Sequence, residues 1–188
     1  MQTSQKKVMT TRTLAYCALL AALNIVLARL IGLMPDPSTR FSIEAIPLFL
    51  AGMFFGPLAG GMVGFAADFV GCLFSPFGYN PIFCIPPILY GVFGGLLRHF
   101  IARNGSICRL TLSFLLPVVL GSILYQSATL AYMYYDGAFW EGFLIKLSTR
   151  SIQFGITLVI DVAVIYMLLR TNIFTRLGIW PPVKRQNM

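Results

Sequence analysis

Leu50-Ala51-Gly52-Met53-Phe54-Phe55-Gly56-Pro57-Leu58-Ala59-Gly60-Gly61-Met62-Val63-Gly64 sets a glycine at every fourth position, Gly52, Gly56, Gly60 and Gly64, around a Gly56-Pro57 step. Small residues at that period let helix backbones approach closely, and in lipid such contact must replace the hydrophobic association available in water. Taken as one helix, residues 44–74 would be about 46 Å long, too much for a hydrocarbon core of about 30 Å. Proline disfavours helix at the residue before it and is accepted at the first position of the next helix. The stretch therefore predicts a tight helical hairpin that turns at Gly56-Pro57.

The rest of the chain agrees. Its 188 residues are 57% hydrophobic and 11% charged, with a mean hydropathy of +0.80, whereas an ordinary soluble domain is about 25% charged. A water-soluble globule is excluded, and the expectation is an all-α integral membrane protein forming a single membrane domain over residues 1–188. Spans of about 20 apolar residues fall at 11–32, 44–55, 57–74, 82–101, 110–134 and 143–169, which makes six transmembrane helices. The second is short, about 18 Å as a helix, so a half-length or re-entrant segment is an alternative there. The first apolar segment is too long for a signal-peptide core and lacks a small-x-small cleavage site, so no cleavable leader is expected.

The net charge of +8 does not read as nucleic-acid binding, because the basic residues flank apolar segments and form no stripe with interleaved aromatics. With six spans and an inside amino terminus, ten of the 14 basic residues face the cytoplasm: Lys6, Lys7, Arg12, Arg98, Arg103, Arg109, Arg170, Arg176, Lys184 and Arg185. The positive-inside rule favours that arrangement, with both termini cytoplasmic. The longer loops, 33–43, 75–81 and 135–142, then lie on the outer side, together with Arg29, Asp36, Arg40, Glu44, Asp136, Glu141, Lys146 and Arg150. Polar chemistry gathers there.

An outward cavity is the natural reading. Loop 75–81 carries Tyr79 and Asn80 among Gly and Pro residues that shape a compact turn, and 134–140 is a second aromatic segment; an interfacial aromatic belt is the structural alternative. Arg29, near the end of the first span, either snorkels or meets an anion. Arg40 is a solvated charge, a partner of Asp36, or a ligand contact. Arginines beside an aromatic-lined cavity suit a planar anion, since guanidinium forks onto carboxylates and stacks on rings. Asp68 and Asp161 lie inside spans, where a carboxylate is a functional candidate by default. A pairing of Asp68 with an arginine or with Gln126 is weighed against a proton relay. Arg150 and Gln153 add an i,i+3 polar pair to the last span.

Enzymatic chemistry has little to stand on. His99 follows Arg98 at a helix end, and the chain has no G-x-S-x-G, H-E-x-x-H or Walker lysine motif. Cys17, Cys72, Cys84 and Cys108 form no C-x-x-C pair or His/Cys cluster and read as buried thiols. No cofactor or metal site is expected.

The run Ala18-Leu19-Leu20-Ala21-Ala22-Leu23-Asn24-Ile25-Val26-Leu27-Ala28-Arg29, the run Arg40-Phe41-Ser42-Ile43-Glu44-Ala45-Ile46-Pro47, and the Ala51-Gly52-Met53-Phe54-Phe55-Gly56-Pro57 stretch resemble the substrate-binding S components of energy-coupling factor vitamin transporters. Ala67-Asp68-Phe69-Val70-Gly71 and Phe77-Gly78-Tyr79-Asn80-Pro81 are similar to the folate-specific subgroup, from which Glu44 departs where a small or apolar residue is expected. The resemblance implies a six-helix subunit of the bacterial plasma membrane that captures a vitamin from outside. It also implies partners: a transmembrane scaffold subunit and two ATPases that consume the ATP. Folate or a related pterin is the expected ligand, with Arg29, Arg40, Asp68, Tyr79, Asn80 and Gln153 as its contacts. Ala18 and Ala22, a small-xxx-small pair on the first helix, are the expected contact with the partner. Riboflavin, thiamine or a queuosine precursor is the alternative within the class, and a self-sufficient proton-coupled transporter using Asp68 and Asp161 the alternative outside it.

Overall fold

The computed structural model describes residues 10–30, 33–36, 39–41, 43–74, 80–102, 106–135, 138–171, 174 and 177–179, and the side chains of all of these except 29, 30, 33–36 and 39–41. In chain order the elements are α1 (Thr11–Leu30), strands β1 (Leu33–Asp36) and β2 (Thr39–Phe41), α2 (Ala45–Phe55), α3 (Pro57–Leu73) and a 3₁₀ turn (Pro81–Cys84). These are followed by α4 (Ile85–Leu96), α5 (Arg98–Ala102), α6 (Ile107–Pro117), a π-helical segment (Val118–Tyr125), α7 (Gln126–Tyr134) and α8 (Phe139–Arg170). Three helical stretches are long and apolar enough to cross a membrane, within Thr11–Ala28, Ile107–Tyr134 and Phe139–Arg170; three shorter apolar ones are Ala45–Phe55, Pro57–Leu73 and Pro81–Leu96.

The short helices form the tightest part of the molecule. Gly56 has φ of 102°, a conformation that only glycine adopts readily, and Pro57 opens α3 at its first turn. The expected hairpin turn is therefore present at its expected place. It folds α2 against α3, and α4 lies across both. A Cβ on Gly52 would run into the Gly91 carbonyl, one on Gly91 into the Gly60 carbonyl, and one on Gly64 into the Pro87 carbonyl. Backbone thus meets backbone, which maximises van der Waals contact where hydrophobic association is absent. Phe49, wholly buried on α2, meets Phe114 of α6 edge-on with ring centroids 5.0 Å apart, and Tyr90 of α4 lies 5.5 Å from the same ring.

Four boundaries differ from the sequence reading. The expected span 82–101 divides into the 3₁₀ turn, α4 and α5, because Pro81, Pro86 and Pro87 open its first turns and Leu97 leaves helical geometry. The expected span 110–134 starts earlier and is interrupted after Pro117, where the missing proline N–H lets the ladder slip into π geometry, the amide of Gln126 bonding to the Gly121 carbonyl. The last helix starts at Phe139 and has 32 residues, about 48 Å, so it tilts or projects from the hydrocarbon. The expected loop 33–43 is not wholly irregular: β1 and β2 pair antiparallel, Leu33 with Phe41 and Asp36 with Thr39. Backbone near lipid must satisfy its own polar groups or be covered by protein, and β2 packs against α8.

Candidate functional site

Polar side chains inside apolar helices locate the site. On α8, Gln153, Thr157 and Asp161 recur every fourth residue and so share one face; they are 6%, 7% and 1% exposed. One turn toward the amino-terminal end of α8 stands Arg150. Its Nη1 donates to Gln126 Oε1 at 2.7 Å and to the Ser122 carbonyl at 3.4 Å, and its guanidinium stands 5.8 Å from the Phe154 ring centroid. Ser122 belongs to the π segment, and its hydroxyl is 2.9 Å from the Tyr90 hydroxyl. The widened turn thus brings a serine of one long helix between an arginine of another and a tyrosine of the short trio.

Two further groups approach from the amino-terminal half. Asn24 of α1 is 7% exposed, and its Nδ2 donates to the Glu44 carbonyl at 2.6 Å, pinning α1 to the start of α2. The Glu44 side chain is near enough to Asp161 for their charges to interact. The result is a buried polar layer, Asn24, Tyr90, Ser122, Gln153, Thr157 and Asp161, with Glu44 at its edge and Arg150 and Gln126 flanking it toward the amino-terminal end of α8.

The candidates named from sequence are distributed unevenly around this layer. Gln153 lies in it. The backbone of Arg40 is in β2, the strand packed on α8; the side chains of Arg29 and Arg40 lie outside the described residues, as do Tyr79, Asp136 and the rest of loop 75–79. Asn80 spends its Oδ1 on the amide of Ile82 at 3.1 Å, capping the 3₁₀ turn, while its Nδ2 is 3.9 Å from Met133 Sδ. Asp68 is half-buried on α3, with the Cys72 thiol 4.0 Å from its Oδ1. The expected pairing of Asp68 with Gln126 is not formed, because Gln126 is taken by Arg150. Ala18 and Ala22 are exposed on α1, of which only 11% is buried, against 39% and 28% for the other two long stretches. Cys108 is exposed and Cys72 half-buried, so the reading of four buried thiols holds for Cys17 and Cys84 alone.

Asn24, Tyr90, Ser122 and Thr157 escaped the sequence reading. Thr157 had a signal, since Gln153, Thr157 and Asp161 show helical spacing within an apolar run; the others are brought in by tertiary packing. A cavity of about 300 Å³ lies at the opposite end of the bundle, lined by residues including Ile101, Ser106, Tyr166 and Arg170. None of the sequence candidates lines it.

Comparison with known proteins now bears on this architecture. Residues 8–173 match the family described as the ECF-type riboflavin transporter, S component. The chain belongs to that family. Family membership makes it a membrane transporter subunit. A folate transporter, FolT, of Clostridium novyi (strain NT) is 36% identical over 83 residues, covering 42% of this chain and 48% of that protein. The chain thus matches about half the length of that relative. A crystal structure of FolT bound with folic acid superposes with a TM-score of 0.66 and 29% identity, over 81% of this chain and 91% of that one. The family description names riboflavin while both relatives are named for folate, so the family alone does not decide the ligand.

Proposed function

We propose that this chain is the S component that captures folate, or a related pterin, on the outer side of a bacterial plasma membrane. The observation that carries the reading is the likeness to the folic-acid-bound structure across 91% of its length. The buried polar layer supports it, because an apolar bundle with a few convergent polar groups is what orients a flat heterocycle. In this reading residues 1–188 form one membrane domain, the six apolar stretches each cross the bilayer, and both termini are cytoplasmic.

Arg29, Arg40, Tyr79 and Asn80 contact or close over the ligand from the outer loops, while Gln153 meets it from α8. Asp68 of α3 is a further polar contact. The chain binds ligand alone and holds no cofactor of its own. Uptake requires a transmembrane scaffold subunit and two ATPase subunits, docked on the exposed Ala18 and Ala22 face of α1. Calorimetric titration of the purified protein with folic acid tests the ligand: Arg29→Ala and Arg40→Ala should each weaken binding, and unchanged affinity removes that residue from the site. Ala18→Leu with Ala22→Leu should leave binding intact and abolish ATP-dependent uptake in vesicles carrying the whole transporter.

Riboflavin is the second reading, favoured by the family match over residues 8–173. Mass spectrometry of the small molecule that copurifies with the chain separates the two.

A further inference from the structure

Asp161 is the most deeply buried ionisable side chain of the polar layer, 1% exposed. Among the described residues nothing donates a hydrogen bond to its Oδ1, which is sealed from solvent. An ionised carboxylate left so in a low-dielectric interior costs far more than one that accepts hydrogen bonds. Thr157, one turn away, gives its hydroxyl proton to the Gln153 carbonyl at 3.0 Å, and Asn24 donates its amide to the Glu44 carbonyl. The layer therefore holds a buried carboxylate oxygen that no described residue satisfies.

That unpaired oxygen calls for a donor from a ligand edge. A 2-amino-4-oxo pyrimidine ring, as in a pterin, presents a ring N–H and an exocyclic NH₂ side by side, two parallel donors that match the two oxygens of a carboxylate as a guanidinium does. A 2,4-dioxo ring, as in an isoalloxazine, presents its single ring N–H between two carbonyl oxygens, so one carboxylate oxygen would face a lone pair. We propose that Asp161 is the specificity-determining residue of the site, its carboxylate accepting both donors of an amino-pyrimidine edge and rejecting the dioxo edge. The assignment rests on the folate reading above, which it sharpens by naming the residue that separates pterins from flavins.

The test is a pair of titrations of the purified full chain in detergent, with folic acid and with its 2-deamino-2-oxo counterpart, which keeps the tail and changes only that edge. Wild type should prefer folic acid by on the order of 10²-fold or more, the scale at which a site built for a donor rejects an analogue lacking it. Asp161→Asn, which offers one acceptor and one donor, should weaken folic acid at least about tenfold and hold or improve the dioxo compound. Equal affinity of wild type for the two compounds overturns the assignment and leaves the folate reading standing, whatever the variant does. A wild-type chain that binds neither overturns both. Parallel loss of both compounds in a folded Asp161→Asn protein also overturns the assignment, because a merely structural aspartate would not discriminate between them.

Discussion

The three short helices and the long α8 solve opposite problems with opposite residues. In α2, α3 and α4 the contact surfaces are nearly devoid of polar side chains, and glycines bring carbonyl oxygens of one helix against the backbone of the next. On α8 the buried face is polar from Gln153 through Asp161, and its neighbours across the bundle are Tyr90, Ser122 and Gln126. The first region packs in one way and carries few polar side chains, Asp68 and Tyr90 among them. The second carries the chemistry and has a π-helical partner, a distortion often found at functional sites. The contrast teaches that a membrane bundle can separate its scaffold from its site by helix, with Tyr90 and Asn24 as the links between them.

Substitutions can break or sharpen that contrast. Gly91→Leu should have the largest effect, because its Cβ alone already collides with the Gly60 carbonyl and neither backbone can yield; destabilisation of more than about 3 kcal/mol is expected. Thermal unfolding with size-exclusion chromatography in detergent would show loss of the folded monomer, and a wild-type profile would refute the close approach. Arg150→Ala comes next, removing a charge-assisted bond to Gln126 and costing about 1.5–3 kcal/mol; the protein should remain monodisperse, since the glycine trio is untouched. Tyr90→Phe deletes the bond to Ser122 for about 0.5–1.5 kcal/mol, and a double-mutant cycle with Ser122→Ala measures how strongly the two regions are coupled. Gly155→Ala should be the mildest, because a Cβ there meets nothing within 4 Å. It removes a helix-interior glycine and should raise the melting temperature slightly, by up to about 1 kcal/mol of stability.

The two regions also differ in how far they can be read from sequence. The four-residue glycine period and the Gly56-Pro57 turn are local patterns, and the helical hairpin they predict is present with its ends shifted by a residue. Their partners on α4, Gly91 and Gly95, were not identified, because which surface a small residue faces is decided by tertiary contact. On α8 the intramembrane carboxylate and the Arg150–Gln153 pair stood out against an apolar background. What Arg150 binds did not, since its partner Gln126 is 24 residues away in sequence and is met only through tertiary packing. Sequence alone favoured Asp68 over Asp161 as a ligand contact; in the structure Asp161 is 1% exposed within the polar layer, while Asp68 is half-buried on α3 beside Cys72.

The central claim is that this S component is built for a pterin and not for the flavin in its family's description. Competitive titration of the purified wild-type chain with folic acid and riboflavin tests it most directly. Tight folic acid binding that riboflavin fails to displace is the predicted result. Tight riboflavin binding that excludes folic acid would contradict the account.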